Sequence, residues 1–159
     1  MLILISGNSG VGKNTVIRNI LNNYDGFKFL KNVTTRQPRE AEKDFAPYEF
    51  VSREEFENKI KEDAFFEYEE IHKNLYGTLK QSLQNIIDSK EHYLKDIGIE
   101  GQRSLKNELK DKTKVVTIFL TAPRSVLEER LKNRGEKDIE LDLGANKLPM
   151  TCLLYSKVL

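Results

Sequence analysis

The first two dozen residues constrain the fold more than any other stretch. An apolar run, LILIS at 2 to 6, is followed by GNSGVGKNT at 7 to 15, and then by Val16, Ile17, Ile20 and Leu21 at helical spacing. A short apolar run without alternation, closed by Gly7, predicts a strand buried on both faces, as in a parallel sheet. The helical pattern stops near Asp25-Gly26. Between strand and helix, Gly7 and Gly12 frame four residues ahead of Lys13, giving G-x-x-x-x-G-K. Glycines there let the backbone turn its N–H groups inward onto phosphate oxygens, and the helix that follows adds its positive end. The candidate phosphate-binding residues are therefore Gly7, Asn8, Ser9, Gly10, Val11, Gly12, Lys13, Asn14 and Thr15. The common form of this loop puts Ser or Thr directly after the lysine, to meet the phosphates and their Mg²⁺. Here Asn14 stands in that place and the hydroxyl comes one residue later, at Thr15, the candidate metal contact.

Further along, residues 28 to 34 read as a second strand and YEFVS at 48 to 52 as a third, ahead of a charged helix, REEFENKIKED. FFEYEEI and LYGT predict a small antiparallel unit. A helix over about 79 to 90, a strand HYLKDI, a helix after Gly101, a strand KVVTIFLTA and a helix RSVLEERLKNR complete the series. Strands alternating with helices predict an α/β three-layer fold on a central parallel sheet, with residues 35 to 78 inserted as a mixed patch.

Composition narrows the partners. With 26 basic and 25 acidic side chains in 159 residues, no global field recommends nucleic acid or an acidic membrane, so any anion site is local. Cys152 is the one cysteine, which excludes an internal disulfide framework; it has no recognisable reactive context. His72 and His92 lack partners at metal-ligand spacing, so no zinc site is expected. The opening MLILIS is too short for a signal or membrane segment, and a cytoplasmic protein is the expectation.

A second constellation is TTRQPREAE at 34 to 42, followed by Tyr48, FFEYEE at 65 to 70 and LYGT at 75 to 78. Arg36 and Arg39, three apart around Pro38, offer two bidentate forks to a phosphate. For the two taken alone, a solvated loop in which they pair with Glu40 and Glu42 is the better reading. In order and spacing these segments, with DIGIEG at 96 to 101 and RLKNRG at 130 to 135, resemble the guanylate kinase family, and the likeness runs from Leu2 to about Gly135.

The resemblance implies a P-loop NTPase fold in one domain: a core over 1–34 and 79–134, a GMP-binding subdomain over 35–78, a short lid over 135–150 and an atypical tail over 151–159. It implies transfer of the γ-phosphoryl group of ATP to GMP or dGMP, with Mg²⁺. Arg36, Arg39, Tyr48 and Tyr76 would then hold the GMP phosphate, with Glu42 in the same segment. Guanine presents N1–H and N2–H₂ donors beside an O6 acceptor, and Glu67 with Thr78 would select it. Asn32 stands where relatives often have a serine that helps read the base, and Asp96 where a residue lies near GMP. Lys13, Arg130 and Arg134 would stabilise the transferred group, the two arginines sharing a helical face.

Three departures from the family pattern stand out. Gly98 occupies a position where a second aspartate is common. Asp142 falls where a lid arginine is expected, and Ala145 where a basic residue is frequent. Beyond the kinase reading, a phosphopeptide-binding module of the same fold and a kinase with weak turnover are the alternatives; the retained Gly7, Gly12 and Lys13 speak against the module. Glu69 and Glu70, being adjacent on a strand, face opposite ways and are read as solvated rather than as an acid–base pair.

Overall fold

The computed structural model describes residues 1–39, 42, 47–135, 139 and 143. Strand β1 (Leu2–Gly7), helix α1 (Lys13–Asn23) and strand β2 (Phe27–Phe29) open the chain. Strands β3 (Asn32–Thr34) and β4 (Tyr48–Phe50), helix α2 (Arg53–Lys61) and strands β5 (Phe65–Ile71) and β6 (Asn74–Leu79) follow. Helix α3 (Lys80–Asp88), strand β7 (His92–Asp96), helix α4 (Ile99–Leu109), strand β8 (Val115–Leu120) and helix α5 (Arg124–Asn133) complete the described elements.

Two four-stranded sheets result. The first, in order β2-β7-β1-β8, is parallel throughout, and β1 lies between β7 and β8 with Leu4 opposite both Lys95 and Thr117. Its interior position explains why LILIS is apolar without alternation. One face packs Leu2, Leu4, Leu83, Ile86, Leu105 and Leu109. The other packs Ile5, Ile17 and Leu94 under α1. The second sheet, β4-β3-β6-β5, is mixed: β3 runs parallel to β4 and antiparallel to β6. It has its own apolar floor, Val33, Phe56, Phe65 and Leu75. Helix α2 is fixed there by a capping box, in which the Ser52 hydroxyl accepts from Glu55 N–H and the Glu55 carboxylate accepts from Ser52 N–H.

Two sequence expectations change. Residues 28 to 34 are not one strand: the chain leaves the first sheet after Phe29 and enters the second at Asn32, so 32–34 pair with β4 and β6 instead of extending the core. Helix α4 begins at Ile99, ahead of Gly101. Gly101 sits inside the helix because a Cβ there would stand 2.8 Å from the Ile97 side chain. FFEYEEI and LYGT form the expected antiparallel pair, β5 and β6, with the reversal at His72-Lys73, both at positive φ (48° and 65°). Among the described residues no helix is long and apolar enough to cross a membrane.

Candidate functional site

The loop between β1 and α1 is shaped by glycine at its two ends. Gly7 has φ 149°, and a Cβ there would lie 2.4 Å from the Leu120 carbonyl oxygen, so no side chain fits. Gly12, at φ 102°, is the residue before α1, and no side chain caps the helix. The N–H groups of its first turn are thus left for an anion, at the positive end of the helix. Lys13 Nζ donates to the Gly7 carbonyl at 2.8 Å and lies 3.9 Å from Asp96 Oδ1. Arg130 reaches the same loop from α5, its Nη1 donating to the carbonyls of Gly10 and Val11 at 3.2 Å each. Arg134 is the residue just past α5 and not within it. The side chain of Thr15 is exposed, whereas Asn14 Oδ1 is buried and without a hydrogen-bond partner.

The second constellation gathers across the same cleft, of about 1340 Å³. Arg36 Nη2 donates to both carboxylate oxygens of Glu42, at 2.8 and 3.0 Å, and Arg39 N–H donates to Glu42 Oε2 at 2.8 Å. Arg36 also lies over the rings of Tyr48 and Phe50, at 5.2 and 5.5 Å. Burial works against both charges of the pair, but their mutual hydrogen bonds and attraction outweigh it: the Arg36 pKa is raised and the Glu42 pKa lowered. Glu42 thus holds the two arginines in place. Tyr48 Oη donates to Asp96 Oδ2 at 3.4 Å, and burial, with the Asp96 charge, pushes its phenol well above its ordinary value, so it stays a donor. Burial also raises Asp96, against the pull of Lys13 and Lys95.

The third cluster is polar and largely buried. The Thr78 hydroxyl, with Thr78 wholly buried, donates to Glu67 Oε1 at 2.5 Å and lies 3.3 Å from Asn32 Oδ1. Asn32 Nδ2 donates to the Asp96 carbonyl at 2.8 Å. The loop, the arginine segment and this cluster therefore converge on a single cleft. Of the sequence-predicted residues only Asn8 and Thr78 do not line it: Asn8 contributes its carbonyl to the loop, and Thr78 acts from behind Glu67. Asp142, Ala145 and Cys152 lie outside the described residues.

Against the family model for guanylate kinase, the chain matches over residues 1–145. The chain belongs to the guanylate kinase family. It is 41% identical over 134 residues to a guanylate kinase of Clostridium tetani (strain Massachusetts / E88), covering 84% of this chain and 61% of that protein. To a guanylate kinase of Clostridium perfringens (strain SM101 / Type A) it is 36% identical over 141 residues, covering 88% and 64%. The chain thus spans about three-fifths of the length of these relatives. A crystal structure of guanylate kinase from Anaplasma phagocytophilum superposes with a TM-score of 0.67 at 26% identity, covering 92% of this chain and 73% of that one.

Sequence reasoning missed two residues of this guanylate kinase family site. Glu69 lines the cleft, and its pKa is raised by burial and by the nearby charges of Glu67 and Glu100. Both Glu69 and Glu70 are exposed, as the solvated reading expects, but Glu70 meets Arg53 at 3.3 Å whereas Glu69 stands at the rim of the cleft. The signal was present in the i, i+2 rule, which puts Glu69 on the same face as Glu67. Beside it, a Cβ at residue 98 would stand 3.3 Å from Glu69 Oε1, so Gly98 leaves room for this carboxylate. The other is Lys95, wholly buried beneath Asn32, which no local pattern distinguishes from a strand lysine facing water.

Proposed function

We propose that the chain is an ATP:GMP phosphotransferase of nucleotide metabolism, converting ATP and GMP or dGMP to ADP and GDP or dGDP. The observation that carries this reading is that Glu67, which accepts from the buried Thr78 hydroxyl at 2.5 Å, lines the same cleft as the Lys13 loop. A carboxylate accepts from the N1–H and N2–H₂ of guanine, groups that adenine does not offer in that arrangement.

In this reading the loop N–H groups and Lys13 hold the ATP phosphates, and Lys13 exchanges its Gly7 carbonyl for phosphate oxygen. Arg130, already docked on the loop, and Arg134 neutralise charge on the moving group. Arg36 and Arg39, held by Glu42, clamp the acceptor phosphate together with the phenols of Tyr48 and Tyr76. An oxygen of that phosphate attacks the γ-phosphorus, the bond to the bridging oxygen breaks, and ADP leaves with that electron pair. The acceptor is already anionic, so alignment and charge neutralisation do the catalytic work and no general base is required.

The donor set near the loop fits Mg²⁺. It consists of neutral hard oxygens, the Thr15 hydroxyl and the otherwise unpartnered Asn14 Oδ1, and among the described residues no group of three or more His, Cys, Asp or Glu could hold a metal unaided. Mg²⁺ is commonly held by few protein ligands together with nucleotide phosphates, whose charge it offsets. Thr15 is the residue expected to hold it.

A coupled assay of ADP release with GMP, dGMP and AMP tests the reading. GMP should be the best acceptor; an AMP preference would defeat the base assignment, and calorimetric binding of GMP without ATP would favour a binding module. Comparison with Asp142→Arg shows whether turnover is limited by that residue.

A further inference from the structure

Lys95 is 0% exposed in the interior strand β7. Lysines are almost never fully buried unless paired, and no step of the proposed reaction uses this one. Its register with Leu4 puts it on the sheet face that carries the apolar cluster of Leu2 and Leu4. From there its ammonium crosses to the second sheet and donates to Asn32 Oδ1.

An ammonium has three donors and no acceptor. It therefore fixes which way the Asn32 amide faces: oxygen to Lys95, nitrogen to the Asp96 carbonyl at 2.8 Å. One of the two amide N–H groups is spent on that carbonyl, and the other remains at a residue that lines the cleft. The Thr78 hydroxyl lies 3.3 Å from the same Asn32 oxygen but only 2.5 Å from Glu67 Oε1. With Lys95 occupying the Asn32 oxygen, that hydroxyl is left to donate to Glu67. The charged groups acting on Lys95 are Glu67 from β5 and Asp96 from β7, both opposing the effect of burial, which brings its pKa down to about 8.

We propose that Lys95 is a specificity-determining positioning residue, which locks Asn32 as an N–H donor so that the corner formed with Glu67 and Thr78 accepts a 6-oxopurine and refuses a 6-aminopurine. The inference rests on the GMP reading above and sharpens it. Without the ammonium the amide is free to turn its oxygen toward the cleft, where it would serve the amino group of adenine.

Lys95→Met keeps the length of the side chain and removes its charge and donors. In steady-state assays of the full chain, KM for GMP should rise about tenfold with kcat changed by less than about twofold, as expected for a lost hydrogen bond. The ratio of kcat/KM for GMP to that for AMP should fall about tenfold, while calorimetric affinity for ATP alone stays unchanged. An unchanged ratio overturns the proposal; a parallel loss with both acceptors would mark Lys95 as a plain cross-link between the sheets. Should Lys95→Met fail to fold, Asn32→Asp decides: it keeps an oxygen for Lys95 but has no N–H. The same fall in the ratio is expected, and an unchanged ratio refutes the idea. A wild-type chain that prefers AMP, or uses neither acceptor, defeats the functional reading itself. Preference for GMP in the wild type with a ratio unmoved by Lys95→Met defeats this inference alone.

Discussion

Replacing Gly77 by alanine is expected to weaken the second sheet and GMP binding together, leaving the ATP loop untouched. Gly77 lies mid-strand in β6, opposite Val33 of β3 and Tyr68 of β5. A Cβ there would stand 2.7 Å from both Cδ1 and Cε1 of Phe65 and 3.1 Å from Cζ of Phe56. Carbon atoms pack best at about 3.5–4.0 Å, so two ring atoms are overlapped by roughly 1 Å. Neither ring can withdraw freely. Phe56 is 0% and Phe65 6% exposed, and the two are stacked at 4.4 Å with an interplanar angle of 20°. Forcing the stack aside costs about 1–3 kcal/mol, and the reduced backbone entropy of alanine offsets only about 0.5–1 kcal/mol of that. The net loss is centred near about 1 kcal/mol, or about 2–4 °C in Tm for each kcal/mol in a chain of this size. Urea unfolding followed by circular dichroism, at unchanged m-value, measures it, and calorimetric titrations with GMP and ATP read the two halves of the cleft separately. Tyr76 and Thr78 flank the substitution, so GMP affinity should fall while ATP affinity holds. A midpoint unchanged within about 0.3 kcal/mol would refute the reasoning, because it would mean that the aromatic floor yields without resistance.

Thr78→Val removes the buried hydroxyl that donates to Glu67; kcat/KM for GMP should fall about 10–100-fold with ATP affinity unchanged, as steady-state kinetics and calorimetry would show. Lys95 has a folded pKa of about 8 against 10.5 when exposed, so the unfolded chain binds more protons between those values. The cost of burying it is therefore fully present below about pH 8 and recedes as pH rises toward about 10.5. Lys95→Met should accordingly be the more stable chain at pH 7, with the gap in urea midpoint closing on the alkaline side. Lys73 holds φ 65° in the β5–β6 reversal, and Lys73→Gly should raise stability by about 0.5–1 kcal/mol in the same unfolding assay. Thr15→Val should weaken the Mg²⁺-dependent part of ATP affinity more than Asn14→Gly does; the reverse order would put the buried Asn14 oxygen on the metal.

What could be read from the sequence is what is local. LILIS, the glycine loop and α1 announce themselves because strand, turn and helix follow within 23 residues and each has its own pattern. The arginine segment is less decisive, since Arg36 and Arg39 alone also fit a loop paired with Glu42, and Arg36 does pair with it. Elsewhere the pattern misled for physical reasons. FKFLKNVT looks like one strand because nothing in it punctuates the change of sheet between Phe29 and Asn32; only the pairing of Leu30 N–H with the Leu94 carbonyl marks where the first sheet ends. Gly101 looks like punctuation, yet it is a place where a neighbouring side chain comes too close for a Cβ. The true reversal at His72-Lys73 carries neither glycine nor asparagine and so gives no signal.

The least legible part is the one that joins the two halves of the cleft. The buried members of each apolar cluster stay within one sheet or the other and its helices, and the half-buried Phe66 of β5 packs across against the first sheet's cluster. Four polar contacts also join the sheets or the loop: Lys95 to Asn32, Asn32 to the Asp96 carbonyl, Tyr48 to the Asp96 carboxylate, and Lys13 to that same carboxylate. Their members lie between 48 and 83 residues apart in pairs such as Tyr48–Asp96 and Lys13–Asp96, so each reads in isolation as an ordinary strand-end or loop residue. Asp96 is the shared node, touched by Lys13 of the glycine loop and by Tyr48 and Asn32 of the second sheet. Polar contacts of this kind add little net stability but fix geometry, and they exchange partners at small cost when a charged ligand arrives. A seam that rests on such polar contacts beside the packing of Phe66 can adjust when ligands arrive, and narrowing of the cleft is what excluding water from the proposed phosphoryl transfer requires.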